Sequence, residues 1–134
     1  MKIFLICSKR FYRDIPPIKE ALERTGHEIT LPNSYDMPEK ENTLRGTPEH
    51  AAWKASMIRH SEKVIGETDA VLVINGEKDG VKGYVGGATF LEIYDAFRLG
   101  KRIYFLNPLP EGILKDELIG FSPVILHGDL SAIK

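Results

Sequence analysis

The sequence predicts an α/β fold, a single-domain five-stranded parallel sheet with helices on both faces. Three observations lead there. The apolar runs are continuous rather than alternating, which suits strands buried on both sides of a parallel sheet. Amphipathic stretches separate those runs, so strands and helices alternate along the chain. The 134 residues are enough for one core and too few for two, and residues 1–134 are expected to form one unit.

Ile3-Phe4-Leu5-Ile6-Cys7 is the first predicted strand. Pro16 and Pro17 suit a first helical turn, where a missing N–H costs nothing. Ile18, Ala21 and Leu22 then form the stripe of a helix that Gly26 stops. Glu28 to Leu31 reads as a second, short strand. From Pro32 to Thr47 the chain turns polar and is longer than an ordinary connection, either a mobile lid or a solvated loop. Thr47-Pro48-Glu49 starts a helix, since threonine caps, proline fits the first turn and a carboxylate favours the positive dipole end. Trp53, Met57, Ser61 and Val64 follow at helical spacing and are expected to pack in the core.

Asp69 to Asn75 is the third strand. The next helix enters through Gly86-Gly87, carries Phe90, Tyr94 and Phe97 on one stripe, and ends at Gly100. Arg102 to Asn107 is the fourth strand, closed by Pro108. A short helix is expected from about Glu111 to Ile119, and Pro123 to His127 makes the fifth strand. Right-handed crossovers leave few topologies for this order, of which the flavodoxin-like, Rossmann-like 2-1-3-4-5 is expected.

Composition narrows the functional classes. Lys plus Arg number 18 against 19 Asp plus Glu, so no whole-molecule field draws a nucleic-acid polymer. The lone Cys7 excludes a disulfide framework and a cysteine-based zinc site, and a cytoplasmic location is expected. The run Ile3 to Cys7 is too short for a signal peptide or a membrane span. His27, His50, His60 and His127 are scattered without a zinc-like spacing, so no metal is expected. Neither G-x-G-x-x-G nor the phosphate-loop pattern is present, and no cofactor is expected. Ser8 lacks the G-x-S-x-G elbow of a serine hydrolase.

In such a sheet, ligands bind beyond the carboxyl ends of the strands, near the reversal of strand order. That rule nominates Ser8, Lys9 and Arg10 after strand one, the stretch from Asn75 through Asp79, Tyr84, Gly86 and Gly87 to Thr89 after strand three, and Asn107 after strand four. Asp69 sits at the opposite end and suits a capping role. Gly86-Gly87 opens a helix and can cradle an anion or a sugar, or merely permit a tight turn. Lys9, Arg10 and Arg13 can receive a 5′-phosphate or belong to a solvated loop. Phe11 and Tyr12 can stack on a base or shield the sheet edge. Glu92 lies one to two turns into its helix, with Ala88, Thr89 and Ala96 on its face leaving room beside a carboxylate. Such a group can attack an electrophilic sugar carbon, or can simply face solvent.

Gly86-Gly87-Ala88-Thr89-Phe90-Leu91-Glu92, preceded by Thr68-Asp69-Ala70-Val71-Leu72-Val73-Ile74-Asn75 and followed by Leu99-Gly100-Lys101, resembles the core of the nucleoside 2-deoxyribosyltransferase family. The resemblance implies a small Rossmann-like domain in which Glu92 attacks the anomeric carbon, expels the base and forms a glycosyl-enzyme intermediate. Cys7-Ser8-Lys9-Arg10 is similar to relatives that hydrolyse deoxynucleoside 5′-monophosphates, where this loop helps to hold sugar and phosphate. A homo-oligomer is implied by the same resemblance. Two departures stand out. Gly86 occupies the place of a sugar-holding aspartate, and no aspartate stands near His60, Ser61 or Glu62, where the family carries an acid. Asp79, Tyr84 and Glu62 are the candidate substitutes. A weaker similarity links the glycine turn to the cytokinin-activating phosphoribohydrolases.

Two readings of function follow. The first is an enzyme that cleaves or transfers the N-glycosidic bond of a (deoxy)nucleoside or nucleoside 5′-monophosphate, with that small molecule as its partner. The second is a non-catalytic nucleotide-binding module that kept the sheet and the glycine turn.

Overall fold

The first strand is apolar at every position after Lys2 because it lies inside the sheet with helices against both of its faces. The computed structural model describes residues 1–134 and runs β1 (Lys2–Ile6), α1 (Ile15–Arg24), β2 (Glu28–Thr30), α2 (Lys40–Leu44), α3 (Glu49–Gly66), β3 (Ala70–Val73), α4 (Gly87–Arg98), β4 (Arg102–Phe105), α5 (Lys115–Gly120) and β5 (Val124–Ile125). A 3₁₀ turn over Lys9–Asp14 joins β1 to α1, and a second covers Leu130–Ala132. All strand pairings are parallel, in the order β2-β1-β3-β4-β5, as the sequence predicts. The register sets Ile3 between Ile29 and Ala70, and Leu72 opposite Tyr104.

Alternate residues of each strand feed two separate cores. Ile3, Leu5 and Leu72 meet Ile15, Ile18 and Leu22 of the α1 face. Phe4, Ile6, Val71 and Val73 meet Ile65 of α3, Ile93 of α4 and Leu118 of α5 on the other. This two-sided burial explains why the apolar runs do not alternate. At the amino end of the sheet, the Asp69 carboxylate accepts the Lys2 amide at 2.8 Å, and that bond holds its pKa below the usual value. Asp69 thus has the capping place expected of it.

Several elements differ from expectation. The strands after β1 are shorter than predicted, and β1 begins and ends one residue earlier than its predicted run. Pro32 to Thr47 is not a featureless loop. It contains α2, whose Glu41 carboxylate meets His50 at 2.9 Å and Lys54 at 3.1 Å on α3. Burial works against ionisation of Glu41, yet the His50 and Lys54 hydrogen bonds outweigh it and keep the pKa below its ordinary value. The aromatic stripe of α4 does not face the sheet. Phe90, Tyr94 and Phe97 gather around Phe121 with ring centres 5.1 to 6.4 Å apart, while Thr89, Ile93 and Ala96 form the buried side. No helix is long and apolar enough to cross a membrane.

Candidate active site

A cavity of 430 Å³ opens beyond the carboxyl end of β1, bounded by α3, α4 and the segment leading into α3. The chain passes from β1 into its wall through Cys7 and Ser8, and the following 3₁₀ turn adds Lys9, Arg10 and Tyr12. Gly86 is the cap residue of α4, and no side chain caps that helix. The first backbone bond there runs from the Phe90 N–H to the Gly86 carbonyl at 2.9 Å. The N–H groups of Gly87, Ala88 and Thr89 are therefore without helical acceptors at the positive end of the dipole.

Glu92 stands in the second turn of α4 and lines the cavity. Ser61 of α3 donates its hydroxyl to Glu92 Oε2 at 2.7 Å. Asn33 donates to Ser61 Oγ at 2.6 Å and to the Met57 carbonyl at 3.2 Å, which fixes the serine in turn. Oε1 has no protein partner, and since no buried polar side-chain atom lacks one, it is open to the cavity. Burial raises the Glu92 pKa to about 7. The Ser61 bond opposes that rise, the Asp95 charge adds to it, and Lys54 works against it. The result is a carboxylate with one oxygen tethered, one oxygen free, and an ionisation poised near neutrality.

The groups beside it are chemically quieter. Burial pushes the Cys7 thiol up to about 12, with the Glu92 and Asp14 charges adding to the effect, so it packs as a neutral thiol. Burial also raises the pKa of the Tyr12 phenol, helped by Cys7, Glu92 and Glu41, and leaves it a hydroxyl donor. Asp95, one turn beyond Glu92, is held by Arg98 at 3.4 Å. No three His, Cys, Asp or Glu side chains converge to hold a metal ion.

Of the residues nominated from sequence, Ser8, Lys9, Arg10, Gly86, Thr89 and Glu92 come together around this cavity. Asn75, Asp79, Tyr84, Gly87 and Asn107 are not among its lining residues. Asn75 is fully buried and joins the ends of β3 and β4. Its amide donates to the carbonyls of Asn107 at 2.8 Å and Pro108 at 3.0 Å, and its oxygen accepts the Asn107 N–H at 2.9 Å. The Asn107 side chain donates back to the Asn75 carbonyl at 3.1 Å. Asp79 occupies a left-handed turn with φ 51° in the small hairpin closed by Lys78 and Val81, exposed to solvent. Tyr84 packs behind Gly86, with Lys78 Nζ 4.7 Å from its ring centre. A side chain at Gly87 would meet nothing within 4 Å. Glu62 points away into an ion pair with Arg98 at 3.1 Å.

Helical periodicity missed the α3 contribution, although the family resemblance marks the neighbourhood of His60, Ser61 and Glu62 as the place of an acid. Of the stripe expected to pack in the core, Val64 does so, whereas Trp53, Met57 and Ser61 line the cavity, with Ser61 fully buried and Trp53 and Met57 half-buried. A serine inside an otherwise apolar stripe was the available signal. Asn33 was also missed, although the strand-end rule applies as well to the carboxyl end of β2. Of the two aromatics after β1, Phe11 is buried in the core and Tyr12 alone reaches the cavity.

No family model and no curated protein matches this chain. Solved structures do. A CMP N-glycosidase of Clostridium botulinum superposes with a TM-score of 0.51 at 19% identity, over 93% of this chain and 85% of that one. The flavoenzyme NAD(P)H:(acceptor) oxidoreductase of Paracoccus denitrificans gives a TM-score of 0.52 at 18% identity, over 92% of this chain and 74% of that one. At such identities the likeness establishes the fold.

Proposed function

We propose that this protein cleaves the N-glycosidic bond of a (deoxy)nucleoside 5′-phosphate, with Glu92 as the nucleophile. The observation that carries the reading is the half-tethered Glu92 carboxylate, with one oxygen bound by Ser61 and the other open to a cavity of 430 Å³. Oε1 attacks the anomeric carbon and forms an ester as the carbon–nitrogen bond breaks. The bond's electron pair leaves with the base, which takes a proton from solvent. Water, or a second base, then opens the ester and frees Glu92. Lys9 and Arg10 suit the phosphate, and Ala88 and Thr89 from the first turn of α4 line the same cavity, where their N–H groups can assist. Trp53 and Met57 offer an apolar wall for the base. The CMP N-glycosidase among the structural neighbours supports the reaction class through its fold.

The test is incubation with nucleosides and their 5′-monophosphates, in ribo and deoxy forms, followed by chromatography for free base. Release that disappears in Glu92→Gln is the expected result. Binding without release favours the non-catalytic module, the reading supported by Gly86 where a sugar-holding carboxylate would stand.

A further inference from the structure

A second groove continues from the cavity along the 3₁₀ turn, with a volume of 600 Å³. Lys9, Arg10, Tyr12 and Pro38 line both spaces, so the two form one path. The groove alone adds Arg13, Tyr35 and Glu39. Three residues per turn stack positions three apart in a 3₁₀ helix, which sets Arg10 and Arg13 one above the other and Lys9 above Tyr12. The rise of that helix separates each such pair by roughly 6 Å along its axis. Tyr12 and Tyr35 pair with ring centres 5.5 Å apart.

The three cations along the 3₁₀ turn form no ion pair and outnumber the single carboxylate, Glu39, that lines the groove. Lys9, Arg10 and Arg13 are exposed, and every ion pair of the protein uses other cations. The one carboxylate lining the groove, Glu39, accepts the Asn42 amide at 2.6 Å. Cations held one turn apart with no internal partner suit a chain of phosphate oxygens, because guanidinium groups bind them through paired N–H donors. A monophosphate on Lys9 and Arg10 leaves Arg13 unused.

We propose that the groove receives the second phosphate of a nucleotide 5′-pyrophosphate, so that the preferred substrates carry a diphosphate rather than a lone 5′-phosphate. The inference rests on the cavity being a nucleotide site. It adds that Arg13 is a specificity residue and that the 5′ side of the ligand runs outward along the 3₁₀ turn.

Two measurements on the whole protein separate this inference from the glycosidase reading. Calorimetry compares inorganic pyrophosphate with inorganic phosphate, and base release compares nucleoside 5′-diphosphates with the matching monophosphates. Pyrophosphate is expected to bind about tenfold more tightly than phosphate, and kcat/KM to favour the diphosphate by a similar factor. Arg13→Ala brings both ratios toward two- or threefold, whereas Lys63→Ala, which removes an exposed charge of α3, changes neither. Ratios near one, or ratios that survive Arg13→Ala, overturn the proposal. A pyrophosphate preference without any base release upholds the groove and removes the glycosidase reading. A dinucleotide with an internal pyrophosphate distinguishes the source. Binding equal to or tighter than the diphosphate assigns Tyr12 and Tyr35 to a second nucleoside, and exclusion assigns a terminal diphosphate.

Discussion

Ser61 Oγ lies 2.7 Å from Glu92 Oε2 and donates to it, joining α3 to α4 across the cavity. The bond opposes a large effect of burial, which leaves the Glu92 pKa at about 7 against an ordinary value near 4.5. Attack on a sugar carbon requires the ionised form. The kcat/KM for base release should therefore rise about tenfold per pH unit below 7 and level off above it. A profile that is flat between pH 5 and 8 would remove Glu92 from the nucleophile's role.

Removing the serine hydroxyl should move that inflection upward. A hydrogen bond to a charged group is worth about 1.5–3 kcal/mol, so Ser61→Ala should lower kcat/KM at pH 7 roughly tenfold to a hundredfold. Most of the loss should be recovered at alkaline pH, where Glu92 ionises without help. Asn33→Ala acts one bond further away and should cause the same change in weaker form. A uniform loss across all pH values would mean that Ser61 contributes by some route other than tuning Glu92.

The same burial makes Glu92 a liability to the fold. Its folded pKa of about 7 exceeds the unfolded value near 4.5, so the native state binds more protons in between. Stability then falls as pH rises from about 4.5 to about 7, and the full cost is present above that window. The shift corresponds to roughly 3 kcal/mol. Glu92→Gln should abolish activity yet raise the denaturation midpoint at pH 8, with little gain at pH 4. Urea titrations at the two pH values measure the difference, and a variant less stable than the parent at pH 8 contradicts it.

The fold was legible because its cause is local and repeated. Ile3 to Cys7 and Ala70 to Ile74 are apolar without alternation, and two-sided burial explains both. Glu92 was legible for another reason, since the glycine turn and the strand-end rule place it near the sheet's rim. The α3 wall was not. Trp53, Met57 and Ser61 have the spacing of core residues, and periodicity cannot tell a helix face that meets a core from one that meets a void. Asn75 and Asn107 were hidden in the opposite sense. A polar residue at a strand end looks the same whether it awaits a ligand or pairs with the next strand, and only the backbone partners decide.

Trp53 illustrates what that distinction predicts. A tryptophan in the core would cost about 3–5 kcal/mol on truncation to alanine. Trp53 is half-buried and faces the cavity, so Trp53→Ala should shift the denaturation midpoint only slightly. Stacking on a base is worth about 1–3 kcal/mol, and KM should rise roughly tenfold or more while kcat changes less. Strong destabilisation with an unchanged KM would return Trp53 to the core.

Asn75 should behave in the reverse way. It is fully buried, and its amide and oxygen satisfy two carbonyls and one N–H at the end of β4. Asn75→Ala strips those groups of their partners at the end of β4, at a cost of about 2–4 kcal/mol. Asn75→Asp should be no better, because a carboxylate cannot donate to the Asn107 and Pro108 carbonyls. Gly83 supports the same junction. Its φ of +70° disfavours any side chain, and a Cβ would strike the Pro108 carbonyl oxygen, so Gly83→Ala should also destabilise. Gly87→Ala has open space around its new methyl group and serves as the tolerant comparison. Chemical denaturation measures all four. The fraction of Asn75→Ala that remains folded should keep its KM, and a raised KM at undiminished stability would instead place Asn75 in contact with substrate.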